Sequence, residues 1–168
     1  MAKKRNKASL CLAVCTLAIV GGASLNMVQN DVILSTELGD IIAIAEDGAL
    51  YTQTVRVDGY HPNIVMTVAI DTQTDTVAKI DILQHAETPD YGGHITERWF
   101  LDRFAEKSVD TPFGIVKIMP DATHDVVAIT GATISSEAIA GGVNLAMEYY
   151  RNSTVRSEEF LPIFESTK

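Results

Sequence analysis

Asn63-Ile64-Val65-Met66-Thr67-Val68-Ala69-Ile70-Asp71, a polar Thr72-Gln73-Thr74-Asp75, and then Thr76-Val77-Ala78-Lys79-Ile80-Asp81-Ile82-Leu83 make up the stretch that sets the fold class of this 168-residue chain. Both arms are rich in β-branched residues. In the first arm Ile64, Met66, Val68 and Ile70 share one face at period two. In the second, Ala78, Ile80 and Ile82 oppose Lys79 and Asp81. Two alternating arms around a polar turn predict an antiparallel hairpin with one wet face.

Outward from this hairpin, residues 50–57 (LYTQTVRV) read as another strand. Residues 31–48 show no clear period and read as a connector holding a short helix or strand. On the other side, a loop from His85 to Ile95 carries Pro89 and Gly92-Gly93. Thr96 is placed to cap a helix over Glu97–Lys107, with Trp99, Phe100, Phe104 and Ala105 turned to the core. Ile115–Met119 and Val126–Ile129 are short strands. A helix from Ser136 to about Arg151 repeats Ile139, Val143, Ala146 or Met147, and Tyr150 on one stripe. Gly141-Gly142 interrupts it; such a pair is either a close approach to the sheet or a weak spot. The whole predicts one α+β domain, a twisted and mainly antiparallel sheet with two main helices.

The first thirty residues are of another character. Lys3, Lys4, Arg5 and Lys7 precede 23 consecutive uncharged residues. Ala8 to Leu25 is almost wholly apolar or small, and as a helix would span about 27 Å, close to the roughly 30 Å hydrocarbon core. The basic end predicts a cytoplasmic N-terminus and an exported body. Two readings stand: an uncleaved single-pass anchor over 8–28, favoured because the apolar run continues to Val28, or a signal peptide cut after Gly21-Gly22-Ala23. The expected organisation is a basic end (1–7), the anchor (8–28), a connector (29–47), a domain (48–151) and a tail (152–168). The tail carries an amphipathic Phe160-Leu161-Pro162-Ile163-Phe164.

Charge and cysteine usage exclude several function classes. From Asp31 onward nine basic residues face 22 acidic ones, a formal charge of −13. That balance excludes a nucleic-acid surface, which needs cations for phosphates. Cys11 and Cys15 are the only cysteines, both in the apolar segment. The body therefore builds no disulfide and no thiolate-ligated zinc or iron–sulfur centre. His61, His85, His94 and His124 have no compact ligand spacing and read as loop or solvated residues; His85 is singled out only because it begins the 85–95 loop.

Thr130-Gly131-Ala132-Thr133-Ile134-Ser135-Ser136 joins a predicted strand to a predicted helix start. Hydroxyls and a glycine at a helix N-terminus suit an anion, phosphate above all. Ordinary capping by Ser135 or Ser136, with Gly131 in a turn, accounts for the same residues.

The run Thr130–Ile139 also closely resembles the flavinylation motif of FMN-binding domains, those of the G subunit of the Rnf complex and the C subunit of the sodium-pumping NADH:quinone reductase. His85-Ala86-Glu87-Thr88-Pro89-Asp90-Tyr91-Gly92 resembles that family's flavin loop. Phe100-Leu101-Asp102-Arg103-Phe104 resembles its following helix, and Gly59-Tyr60 is similar too. The resemblance spans roughly residues 48–151. It implies FMN joined through its phosphate to Thr133, with Thr130, Gly131, Ala132, Ser135, Glu87, Thr88, Tyr91 and Gly92 as further cofactor-binding residues. It also implies transfer of the FMN moiety from FAD by a separate magnesium-dependent flavin transferase of the ApbE type. By the same resemblance the chain is an electron-carrier subunit rather than an enzyme on its own, held at the cytoplasmic membrane with the flavin domain outside, among other membrane subunits of an ion-translocating complex. A stand-alone extracytoplasmic flavoprotein and a non-redox exported binding module are the alternatives.

Three positions depart from the family's pattern. Val127 stands where an aspartate is usual, with Asp125 the nearest acid. Asp90 replaces a glycine, and its charge would lower a flavin's potential. Tyr91 replaces a leucine and offers a ring for stacking.

Overall fold

The computed structural model describes residues 34–159. Five strands form an antiparallel meander in chain order: β1 (Leu34–Thr36), β2 (Gly39–Asp47), β3 (Leu50–Val57), β4 (Ile64–Asp71) and β5 (Thr76–Gln84). A 3-10 turn at Gly92–Thr96 and a single helical turn, α1 (Arg98–Leu101), follow. β6 (Gly114–Val116) and β7 (Asp125–Val127) make a separate two-stranded parallel sheet, and α2 (Thr133–Glu159) is the last element of the described residues. The anchor, both cysteines and the Phe160–Phe164 fragment lie outside the described residues. Among the described residues no helix is long and apolar enough to cross a membrane.

The predicted hairpin is β4–β5, and on β4 the expected face is buried throughout: Ile64, Met66, Val68 and Ile70 are each fully inaccessible. On β5 the face differs from the expectation. The register slips between Ala69 and Ile70 and again between Val65 and Met66, so Ala78 and Leu83 are extra residues opposite β4. An extra residue reverses alternation. Val77 and Ile80 are therefore buried, Ile82 is half-buried, and Ala78 is exposed.

The connector reading of 29–47 is corrected over its described part. β2 pairs with β3 along its whole length, Asp40 opposite Arg56 through Asp47 opposite Leu50. A bulge between Ile41 and Ala43 breaks the alternation that would have marked the strand.

α2 covers one face of the sheet, contributing Ile139, Val143, Ala146, Met147 and Tyr150 to the core. The two glycines behave differently. A Cβ on Gly142 would lie 2.1 Å from Met66 Cε and 2.9 Å from Val57 Cγ1, whereas one on Gly141 would meet nothing within 4 Å. Gly142 lets the helix sit directly on β3 and β4. Gln53, fully buried on β3, donates from Nε2 to the Ala146 carbonyl at 2.8 Å.

The helix expected over Glu97–Lys107 shrinks to one turn. Glu97, not Thr96, is its N-cap, and the Thr96 hydroxyl donates to the Gly93 carbonyl instead. Beyond Leu101 the chain is drawn to the open edge of β5: Glu106 N–H donates to Val77 O, and Val77 N–H to Lys107 O. Glu106 adopts φ 60°, which ends helical continuation. Phe100 and Phe104 are buried as expected, but Trp99 is half exposed, with the Arg103 guanidinium 5.1 Å from its ring centre.

Candidate functional site

The loop from β7 to α2 forms one wall of a cleft of about 560 Å³, lined by Tyr60, Glu87, Thr88, Tyr91, Gly92 and residues 131–135. Gly131 makes the wall possible. It adopts φ +78°, and a Cβ there would lie 2.8 Å from Tyr91 Cδ1, so the tyrosine ring rests against bare backbone. Left-handed backbone of this kind favours glycine, which has no Cβ to strain.

α2 begins at Thr133, so neither Ser135 nor Ser136 is the N-cap; both sit inside the first turn. Ser136 is fully buried. Its Oγ accepts the Ile129 N–H at 3.0 Å and donates to the Ala132 carbonyl at 2.9 Å, stitching the loop to the helix start. Ser135 Oγ donates to Glu87 Oε2 at 2.7 Å. The residue before the helix, Ala132, has no side-chain oxygen to receive the first N–H groups of the turn, so these are left to outside acceptors. The Thr133 hydroxyl has no hydrogen-bond partner among the described residues, and the side chain is half-buried in the cleft wall.

Glu87 is the other centre of the site. It is 5 % exposed. Oε1 accepts the His61 backbone N–H at 2.9 Å, while the Glu87 N–H donates to His85 Nδ1 at 3.2 Å. His85 does not line the cleft; it holds the start of the loop. No lysine or arginine lines the cleft either. The described residues contain no group of three metal-capable side chains.

Of the nine expected site residues, eight converge here. Thr130 does not line the cleft. Tyr60 and Ile134 line it without having been assigned to it, both more than half exposed. The Gly59-Tyr60 similarity was the one signal for Tyr60; Ile134 is visible only as a neighbour of Thr133. Val127 lies on β7 with its carbonyl accepting from Arg103 Nη1 at 2.7 Å. Asp125 is committed elsewhere, its Oδ2 accepting the N–H groups of Asp121 and Ala122.

Residues 59–148 match the family described as FMN-binding domain. The G subunit of the Na(+)-translocating ferredoxin:NAD(+) oxidoreductase complex of Acetobacterium woodii is 28% identical over 120 residues, 69% of this chain and 57% of that protein. The G subunit of the proton-translocating ferredoxin:NAD(+) oxidoreductase complex of Clostridium ljungdahlii is 34% identical over 98 residues, 58% of this chain and 51% of that one. The chain thus spans about half the length of these curated relatives. Among solved structures, the C subunit of the Na(+)-translocating NADH-quinone reductase from Parabacteroides distasonis superposes with TM-score 0.53 at 18% identity, over 67% of this chain and 61% of its own. NqrC of Shewanella oneidensis gives 0.51 at 18%, over 62% and 53%. A matched region that contains the whole cleft, from Gly59 through the first turns of α2, makes this chain a member of the FMN-binding domain family.

Proposed function

We propose that the chain is a membrane-anchored electron carrier whose FMN is linked through its phosphate to Thr133, serving as the G subunit of an Rnf-type ion-translocating complex. The residues present fit FMN. The cleft volume lies in the usual range for cofactor sites. Exposed Tyr60, Tyr91 and Ile134 at its mouth offer apolar and aromatic surface to a planar ring. The open first turn of α2 suits a phosphate.

The observation that carries the reading is the state of the hydroxyls. Of the hydroxyls on the 130–136 segment, Ser135 and Ser136 are buried and bonded, Thr130 is outside the cleft, and Thr133 alone combines an uncommitted hydroxyl with a place in the cleft wall; Tyr60, Thr88 and Tyr91 also line the cleft, but none of them sits at the open first turn of α2. Attachment forms the bond from Thr133 Oγ1 to phosphorus and breaks the pyrophosphate bond of FAD; AMP leaves and the hydroxyl proton is released. A flavin transferase of the ApbE type performs this step. Retention by a covalent bond also suits the electrostatics: with no cationic side chain in the lining and a carboxylate in the wall, a free phosphate monoester would be held poorly.

Bound FMN supplies the redox chemistry. The chain's own part is to orient it. Tyr91 and Tyr60 bound the ring space, Gly131 and Gly92 keep the walls close, and Ala132, Thr88, Ser135 and Glu87 shape the floor. The acidic body and the basic N-terminal end support an outside flavin domain with a cytoplasmic N-terminus, in contact with other membrane subunits.

The test is production of the full chain with its transferase in the presence of FAD and magnesium. Flavin fluorescence that stays with the chain on a denaturing gel, and disappears in Thr133→Val, is the expected result. A chain without fluorescence contradicts the reading.

A further inference from the structure

We propose that Glu87 is the positioning residue of this cleft, holding the first turn of α2, and with it Thr133, against the 85–92 loop through Ser135. The proposal rests on the reading of Thr133 as the attachment point and adds what sets that residue in place.

Three segments distant in sequence meet at this one carboxylate. Oε2 takes the Ser135 hydroxyl, 48 residues away, and Oε1 takes the His61 N–H, 26 residues away. The backbone is cleared around it. A Cβ on Gly92 would lie 2.3 Å from Oε2 and 2.7 Å from Ser135 Oγ, and one on Gly59 would lie 2.6 Å from Oε1. No Lys, Arg or His side chain forms a salt bridge with Glu87 among the described residues. A buried carboxylate without a cation is costly unless its oxygens are bonded. Here the protein bonds both, and the N-terminal end of α2 favours a negative charge beside it. Glu87 is thereby committed to the chain itself. Ser135 and Thr133 share one helical turn, so fixing the first fixes the second. With no side chain at position 87 to bond its oxygen, as in Glu87→Ala, Ser135 would be left to nearby backbone carbonyls, the usual competitor for such a hydroxyl.

Glutamine is the informative replacement. Its amide keeps both contacts, with Oε1 accepting from His61 and Nε2 donating to Ser135 Oγ, while the charge is removed. The full chain, unmodified, is compared as parent, Glu87→Gln, Glu87→Ala and Ser135→Ala. The first measurement is amide hydrogen exchange, and the second is the initial rate of flavin attachment with transferase, FAD and magnesium. Glu87→Ala and Ser135→Ala should exchange at least tenfold faster at residues 136–138, the first amides of α2 with carbonyl acceptors within the helix, with 143–147 still protected, and accept flavin at least tenfold more slowly. Glu87→Gln should recover both to within threefold of the parent. Parent-like exchange and rate in the alanine variants overturn the proposal, as does a glutamine variant as impaired as alanine. If Glu87→Ala does not fold, Ser135→Ala decides. A parent that takes no flavin but shows the predicted exchange pattern defeats the attachment reading and leaves Glu87 as the residue that sets the turn.

Discussion

The two ends of the described part of α2 put buried polar groups to different uses. Near Ala146 and Tyr150 they lock the helix onto the sheet: Gln53 reaches the Ala146 carbonyl, Tyr150 Oη donates to Asp75 Oδ1 at 2.8 Å, and the Tyr51 ring centre lies 5.3 Å from that of Tyr150. At Thr133–Ser136 the polar groups instead tie loops to the helix start and leave one hydroxyl and the first-turn N–H groups facing a cleft. Both ends are ordered by hydrogen bonds and both border a cleft, about 560 Å³ at Thr133 and about 360 Å³ beside Tyr51 and Tyr150, but only the Thr133 end sets the open first turn of a helix at its cleft. That end is built to hold a ligand, and the Tyr150 end to hold the fold.

Four substitutions test that contrast through stability. The largest effect is expected at Gly142→Ala, where the added methyl meets Val57 and Met66; overpacking there should cost about 2–3 kcal/mol in urea denaturation despite the better helix propensity of alanine. Next is Gly131→Ala, at the cleft end. Forcing alanine into φ +78° costs about 1–2 kcal/mol and pushes the Tyr91 ring aside, so flavin loading should fall together with melting temperature.

Tyr150→Phe should cost about 1 kcal/mol at neutral pH and should change the alkaline limb of stability. Burial, reinforced by the hydrogen bond to Asp75, pushes the Tyr150 hydroxyl up to about 12. The folded state holds the proton more tightly than the unfolded chain does, near 10. The contribution is therefore complete below about pH 10 and is lost as pH rises towards 12. Denaturation midpoints across that range should fall more steeply for the parent than for Tyr150→Phe. The smallest effect is a gain: Gly141→Ala, which touches nothing, should stabilise by about 0.5–1 kcal/mol. If Gly141 and Gly142 respond alike, the close seating of α2 on β3 and β4 is wrong.

Legibility in the sequence follows the same division. β3, β4 and the apolar stripe of α2 announce themselves, because one face of each is buried without interruption. β2 and the inward face of β5 do not, since bulges at Ile41–Ala43, Ala69–Ile70 and Val65–Met66 break the period that reading depends on. Trp99 misleads because hydrophobic periodicity places it in a helix that the β5 edge cuts short. At the site, Thr133 and the 85–92 loop are found through their resemblance to a family. The partners of Glu87 are not, for its bonds to His61 and Ser135 join positions that only the fold brings together.

The central claim is that Thr133, the uncommitted hydroxyl where α2 meets the cleft, carries the FMN. Peptide mass spectrometry of the chain produced with its transferase tests it most directly. The account predicts an FMN phosphoester localised to Thr133, with Thr130, Ser135 and Ser136 unmodified. A flavin found on any of those three, or an unmodified Thr133 peptide from a flavin-loaded preparation, would contradict it.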